Sequence, residues 1–588
     1  MELLVLIILF WIPPLLVIIR RLFWDLYFWQ IKEYRWDRFW THVRWDSDDL
    51  QRDYLTLGIK FLLFSSTTFI FTAPEIAIIG IVLTYTFWVF ESFELVKDLL
   101  LRKVIRPNLK SVRNILVITI FLIVLLVLIG VISSPFLNLT RDELTDSTLG
   151  YFSNTLNTST ENDLLLPDVF ILLGFFTLLG LMTDISMPVI IPIFIAITAP
   201  LSWIRRQLFI RRGIAHYSKF KNNITFIGIT GSQGKTTTKE ILYEVLSNKF
   251  YVGKTEENMN TKFGLSHSIL KNISKKTQIF IGEIGAYRKN EIKNIVTDFS
   301  PEIAVITDID TQHVGLFGTR SDLAKAKSEI IFSDTNVVVL NGDNHYCRTI
   351  AKNISDKKIY IFSRDKSNFK ELKEIDENPN FIVIYLNKTT SKNNTTTLVV
   401  TLGGEKHMFE VKRIEKNYLM DSILISLAVG IELGIDLNEL FKVLANIEFK
   451  TPRLNIESGD NDTIIINDTY SSSRKGFLAA VELLNEYKKN ESQKRIIVTK
   501  GIYELGREKA RIYNDLAQQT SNQFDYLITT DPLLWRVFNE QKNVHAIKVK
   551  NVDEMIYNIR KLSEPNDIIL LEGRLNPKII KELVSDKM

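Results

Sequence analysis

Hydrophobic and polar positions obey two different rules along the chain. In the first third, apolar residues run almost unbroken. No charge falls between Asn114 and Thr140, and only Asp168 and Asp184 are charged between Leu164 and Ile204. A helix needs roughly 20 apolar residues to cross a bilayer core, so Ile115 to Val131 reads as a crossing. Leu3 to Ile19, ended by Arg20 and Arg21, reads as another. An uncleaved signal-like segment is the alternative there, and Pro13, Pro14 and the missing basic start favour an anchor. Leu57 to Phe93 reads as two short crossings turning near Ala73, Pro74 and Glu75, or else as a buried helical hairpin. Pro188, Pro192 and Pro200 interrupt the stretch after Leu164, which predicts one crossing plus a re-entrant or interfacial piece. The pattern therefore predicts a helical transmembrane domain over 1–204 with about five crossings.

After Asn223 the period changes. Short β-branched runs alternate with amphipathic stretches, which predicts α/β domains built on largely parallel sheets, over 223–449 and 450–588. Ile224 to Thr230 is the first expected strand. It leads into Gly231-Ser232-Gln233-Gly234-Lys235-Thr236-Thr237-Thr238, with a helix expected from about Lys239. Glycines let backbone amides approach phosphate oxygens, Lys235 can neutralise the outer phosphates, and a threonine hydroxyl can reach Mg²⁺. The usual phosphate-loop spacing places a glycine where this chain has Ile229, with Gly228 and Gly231 on either side.

Charge sharpens the membrane reading. Residues 20–56 carry seven Lys/Arg, 92–113 carry six, and the basic linker 205–222 carries six without an acid, whereas 135–164 carry one Arg against five acids. The positive-inside bias puts the first three segments and the α/β domains in the cytoplasm, on a multi-pass protein of the cell membrane. Trp24, Trp29, Trp36, Trp40 and Trp45 cluster among charges, which suits an interfacial helix or a groove for a lipid substrate. Overall, 46% hydrophobic and 24% charged residues exclude wholesale disorder, and one cysteine excludes an intrachain disulfide and a thiolate-rich zinc site. The net charge of +5 sits beside apolar segments, so no nucleic-acid partner is expected.

Several spaced motifs over about 224–577 resemble the ATP-dependent Mur ligases of cell-wall peptide synthesis, whose phosphate loop has this compact form. The likeness is greatest to the member that adds D-alanyl-D-alanine to a UDP-muramoyl tripeptide. Asn258-Met259-Asn260-Thr261 with Gly264, Gly282-Glu283-Ile284-Gly285, Ile306 to His313, Leu323 to Ile330 and Asn341-Gly342-Asp343 follow in the family's order. The resemblance implies a fold with a central phosphate-loop ATPase domain and a Rossmann-like C-terminal domain. It implies Gly231, Ser232, Gly234, Lys235, Thr236 and Thr237 on the nucleotide phosphates, Thr236 and Glu283 on the nucleotide Mg²⁺, and His313 near a second ion. Lys327 matches a lysine that is carbamylated in relatives, and with Lys235 and His313 it completes the implied catalytic set. Asn260 and Thr261 are implied at the substrate.

Later motifs depart from the family in places. Asn417 resembles the residue that meets adenine, but Lys416 replaces the usual His. Arg453 resembles the hinge arginine that contacts nucleotide. Asp468, in Asn467-Asp468-Thr469-Tyr470, keeps the second acid of a pair whose first is Asn467. Glu504, in Gly501 to Gly506, matches the loop that positions the incoming amine, and Leu571-Glu572-Gly573-Arg574 departs from the family's Lys-Gly-Ser.

The expected activity is amide-bond formation through an acyl phosphate, using ATP and Mg²⁺. The expected substrates are a cell-wall peptide precursor and an amino acid or dipeptide. Family members carry a UDP-gripping N-terminal domain where this chain has its apolar third, so a lipid-linked or polymeric acceptor held beside membrane lipid is expected. A poly-γ-glutamate-type amide ligase and a non-catalytic nucleotide-binding membrane protein are the alternatives.

Overall fold

The computed structural model describes residues 12–22, 59–65, 74–100, 118–119 and 165–584, except 257–258, 312–313, 369–371, 373–379, 393–394, 413–416, 448–454, 470–472, 489, 491 and 504. The chain divides into two units, 1–206 and 207–588.

In the first unit, residues 12–22 and 59–65 are helical, and two long helices follow, α1 (Pro74–Leu100) and α2 (Leu165–Ser218). Trp88 is buried with Val17 and Leu181, while Phe61, Leu62, Val82, Leu83 and Phe90 stay exposed. A buried Lys60 pairs with Glu91 at 2.9 Å. Among the described residues, one stretch, Ile191–Ser218, is long and apolar enough to cross a membrane, and Ile79–Phe93 is a shorter apolar helix. The crossing expected at Ile115 to Val131 and the tryptophan cluster lie outside the described residues.

One expectation is corrected here. Helix α2 runs through Pro188, Pro192 and Pro200 without the re-entrant break. A proline deletes one helix N–H, and these three are spaced by multiples of four, so the missing bonds fall near one side and the rest of the ladder is kept. Within the basic linker 205–222, residues 205–218 are helical and form the last turns of α2. In the second unit those turns are anchored by buried Ile210 and Tyr217, and His216 Nε2 lies 3.0 Å from the carbonyl of Ile273.

The second unit holds two sheets. The first has nine strands in the order β2-β3-β1-β4-β5-β6-β7-β8-β9. They are β1 (Thr225–Thr230), β2 (Val252–Lys254), β3 (Ile279–Glu283), β4 (Ile303–Ile306), β5 (Val337–Asn341), β6 (Lys358–Ser363), β7 (Phe381–Lys392), β8 (Thr395–Leu402) and β9 (Glu405–Lys412). Pairing is parallel up to β7 and antiparallel from β7 to β9. Strand β1 is buried on both faces, which is why it reads as continuously apolar. Ile227 and Ile229 pack toward helices α3 (Lys235–Leu246) and α6 (Asn417–Glu432), and Phe226 packs toward α4 (Lys262–Asn272) and Tyr217. Helix α5 (Arg320–Ser328) covers the same side as α4.

The second sheet has the order β10-β11-β15-β12-β13-β14. Its strands are β10 (Asn455–Ser458), β11 (Ile464–Asp468), β12 (Arg495–Thr499), β13 (Tyr526–Thr529), β14 (His545–Lys548) and β15 (Ile568–Glu572). Only the β10–β11 pair is antiparallel. Cores lie on both faces, one including Phe477 of helix α7 (Arg474–Glu486). In both sheets the carboxyl ends of the parallel strands carry the polar residues discussed next, as expected for open α/β sheets.

Candidate active site

The site begins where β1 stops. Gly231 has φ 152° and Gly234 has φ 78°, and a Cβ on Gly231 would lie 2.0 Å from Thr307 Oγ1. The chain therefore turns sharply onto α3, which starts at Lys235, four residues earlier than the sequence suggested. Its first amides face the loop, a ready anion site. The loop is braced from the end of β4: Ser232 N donates to Asp308 O at 2.8 Å, and Asp310 N donates to Ser232 Oγ at 2.9 Å. Thr307 Oγ1 also donates to Gln233 O.

Two ammonium groups meet one carbonyl. Lys235 Nζ donates to Gly231 O at 2.7 Å and Lys327 Nζ to the same oxygen at 2.9 Å. Lys327, on α5, is buried, and burial together with the Lys235 charge holds its amine well below the usual lysine range. Thr236 Oγ1 donates to Glu283 Oε2 at 2.9 Å, and Lys239 Nζ lies 3.6 Å from that oxygen. Asn260 Nδ2 donates to the other oxygen of Glu283 at 3.4 Å. Thr261 instead caps α4, its hydroxyl accepting from Gly264 N at 3.2 Å. Asn260, Thr236 and Glu283 thus form one cluster at the ends of β1 and β3.

A cavity of about 310 Å³ opens beside the loop. Ser232, Gly234 and Thr237 line it from the first sheet, and Asp468, Ser473 and Lys475 from the second. Gln233 Nε2 donates to Ser473 Oγ, and Lys475 Nζ donates to Asp308 Oδ1 at 2.8 Å. Further along the wall, Arg364 lies 2.6 Å from Asp421, whose carboxyl burial pushes up to about 6 against the pull of that arginine. Burial and the neighbouring Asp308 also raise the Asp310 carboxyl.

His313, Arg453 and Glu504 lie outside the described residues, as does the side chain of Asn417, the first residue of α6. The flanks of His313 and Glu504 meet, since a Cβ on Gly506 would lie 2.8 Å from Gly315 Cα. Motif reading missed Asp308, Ser473 and Lys475. The Lys475–Asp308 bond spans 167 residues, and no local pattern announces a partner so distant.

The comparisons now decide the family. Residues 229–414 match the Mur ligase middle domain and 452–575 match the Mur ligase glutamate ligase domain, together just over half of the chain. The chain belongs to the Mur ligase family. This Mur ligase is 26% identical over 369 residues to the UDP-N-acetylmuramoyl-tripeptide–D-alanyl-D-alanine ligase of Borreliella burgdorferi, covering 62% of this chain and 74% of the relative. It is 25% identical over 370 residues to the Bacillus subtilis enzyme of that name, covering 61% and 75%. In fold it is similar to MurF of Acinetobacter baumannii, with a TM-score of 0.54 and 20% identity over 64% of this chain and 80% of that one. It is also similar to MurF of Thermotoga maritima in complex with ADP, with a TM-score of 0.51 and 22% identity over 64% and 83%. As a Mur ligase it is an ATP-dependent peptide ligase, and both matching family domains lie in its α/β part.

Proposed function

We propose that this Mur ligase joins the carboxylate of a cell-wall peptide precursor to the amine of an amino acid or dipeptide similar to D-alanyl-D-alanine. The observation that carries the reading is the gathering of Lys235, Lys327 and the Thr236–Glu283 pair around a loop whose Ser232, Gln233 and Gly234 line a cavity with a far wall from the second sheet. Relatives named for a UDP-muramoyl tripeptide and D-alanyl-D-alanine support the substrate class.

ATP supplies the phosphoryl group that activates the acceptor. An acceptor carboxylate oxygen attacks the terminal phosphorus, and ADP departs with the electrons of the broken bond. The amine nitrogen then attacks the acyl carbon, expels phosphate and loses a proton to give the amide. Lys235 and the amides opening α3 would hold the phosphate charge. Thr236 Oγ1 and Glu283 Oε2, 2.9 Å apart, form an oxygen pair suited to Mg²⁺, which would neutralise phosphate charge. His313 is the candidate for a second ion, and a carbamate on Lys327 would turn a buried amine into an anion able to support a metal. Asn417, Arg453 and Asp468 are assigned to the nucleotide, and Asn260, Thr261 and Glu504 to the joined substrates.

The apolar runs of the first third and the bias of basic residues in the sequence are the basis for proposing a multi-pass anchor, with the α/β domains cytoplasmic and the acceptor lipid-linked or polymeric. The test is ADP release by the detergent-solubilised chain, given D-alanyl-D-alanine and either UDP-muramoyl tripeptide or its lipid-linked form. Acceptor-dependent release abolished by Lys235→Ala supports the ligase; release indifferent to that change refutes it. Equal use of the UDP form after removal of residues 1–204 refutes the membrane-held acceptor.

A further inference from the structure

Helix α7 begins at the mouth of the phosphate loop. Its N-cap Ser473 accepts from Gly476 N at 3.1 Å and also receives the side-chain amide of Gln233, so loop and helix end are directly tied. Two cations follow. Arg474 turns away to Asp515 at 2.5 Å, leaving Lys475 as the one of the two that lines the cavity.

Lys475 rests on Asp308, the residue whose backbone carbonyl receives Ser232 N of the loop. Its ammonium thus lies one residue from the amides that would cradle phosphate. Asp308 does not depend on it, because Asn344 Nδ2 donates to the same carboxylate oxygen at 2.7 Å and Ile309 O at 2.9 Å. Desolvation works against the Lys475 charge, but Asp308 and Asp310 outweigh it and keep the ammonium protonated. The side chain is about half exposed, so it has room to move. Lys235 and Lys327 reach the loop from the first sheet, both donating to Gly231 O, whereas on α7 Lys475 is the cation that lines the cavity.

We propose that Lys475 is a phosphate-contacting residue carried by the second α/β domain. With ATP in the cavity its ammonium passes from the Asp308 carboxylate to an oxygen of the terminal phosphate. Phosphoryl transfer then requires that domain to be seated on the loop. In the transfer the acceptor oxygen bonds to phosphorus and the bond to ADP breaks; Lys475 gives up no proton and acts by charge. The proposal rests on the ligase reading above.

The experiment measures binding of β,γ-imido-ATP and of ADP, each with magnesium, to the solubilised full chain. Lys475→Met should weaken the imido-ATP complex on the order of 10- to 100-fold, shift ADP by less than about threefold, and be partly rescued by Lys475→Arg. Retained ADP binding shows that the variant is folded. Asp308→Asn removes the resting partner but keeps the cation, so it should keep the preference for the terminal phosphate. Equal weakening of both nucleotides by Lys475→Met, or loss of the preference in Asp308→Asn, would show a domain latch and overturn the proposal. Failure of the unaltered chain to bind either nucleotide overturns the ligase reading itself.

Discussion

Glu572 ends β15 in register with Asp468 on β11 and Thr499 on β12. It is buried, Thr499 Oγ1 donates to its Oε2 at 2.6 Å, and its Oε1 has no hydrogen-bond partner among the described residues. Burial, with Asp468 adding to it, pushes the carboxyl from 4.5 up to about 8. The fold therefore favours the protonated form. The stability this group contributes is complete below pH 4.5 and is lost as pH rises through about 8. Each unit in that window removes up to about 1.4 kcal/mol, so between about pH 6 and pH 9 the second sheet should lose on the order of 2 kcal/mol. Glu572→Gln keeps the shape and an acceptor for Thr499 but cannot ionise. Hydrogen exchange at β11, β12 and β15, compared between the two proteins at equal pH, should show protection diverging as pH rises, with the variant more protected at the alkaline end. A difference that stays constant across the range would refute the assignment of a neutral, buried carboxyl.

Further outcomes follow from the loop. Gly231→Ala places a Cβ 2.0 Å from Thr307 Oγ1 at a φ of 152°, so nucleotide binding should fall on the order of 100-fold or more, read by calorimetry. Lys327, its amine held low by burial and by Lys235, should be uncharged in a fraction that grows with pH. A carbamate signal from ¹³C-bicarbonate should then grow as pH rises, fade on acidification and vanish in Lys327→Ala; Lys327→Arg, always charged, should not restore activity.

The phosphate loop was legible because strand, turn and helix are contiguous and each has a local cause. The position of Gly231 announces the turn, although the helix starts at Lys235 because Gly234 already completes it. The pairing of Thr236 with Glu283 was legible only through the order of motifs, since residue spacing alone does not show that β1 and β3 are neighbours. The Asp308–Lys475 contact was not legible, because it joins residues 167 apart that belong to different sheets. The prolines of α2 misled for a different reason. Local propensity penalises each one, but the penalty is a single backbone bond, which a long apolar helix absorbs.

The central claim is amide formation through an acyl phosphate. An acceptor carrying ¹⁸O in its carboxylate, incubated with ATP, D-alanyl-D-alanine and the solubilised chain, tests it in one mass spectrum. The account predicts an amide, ADP and inorganic phosphate bearing one ¹⁸O atom. Unlabelled phosphate, or AMP with pyrophosphate in place of ADP, would contradict it.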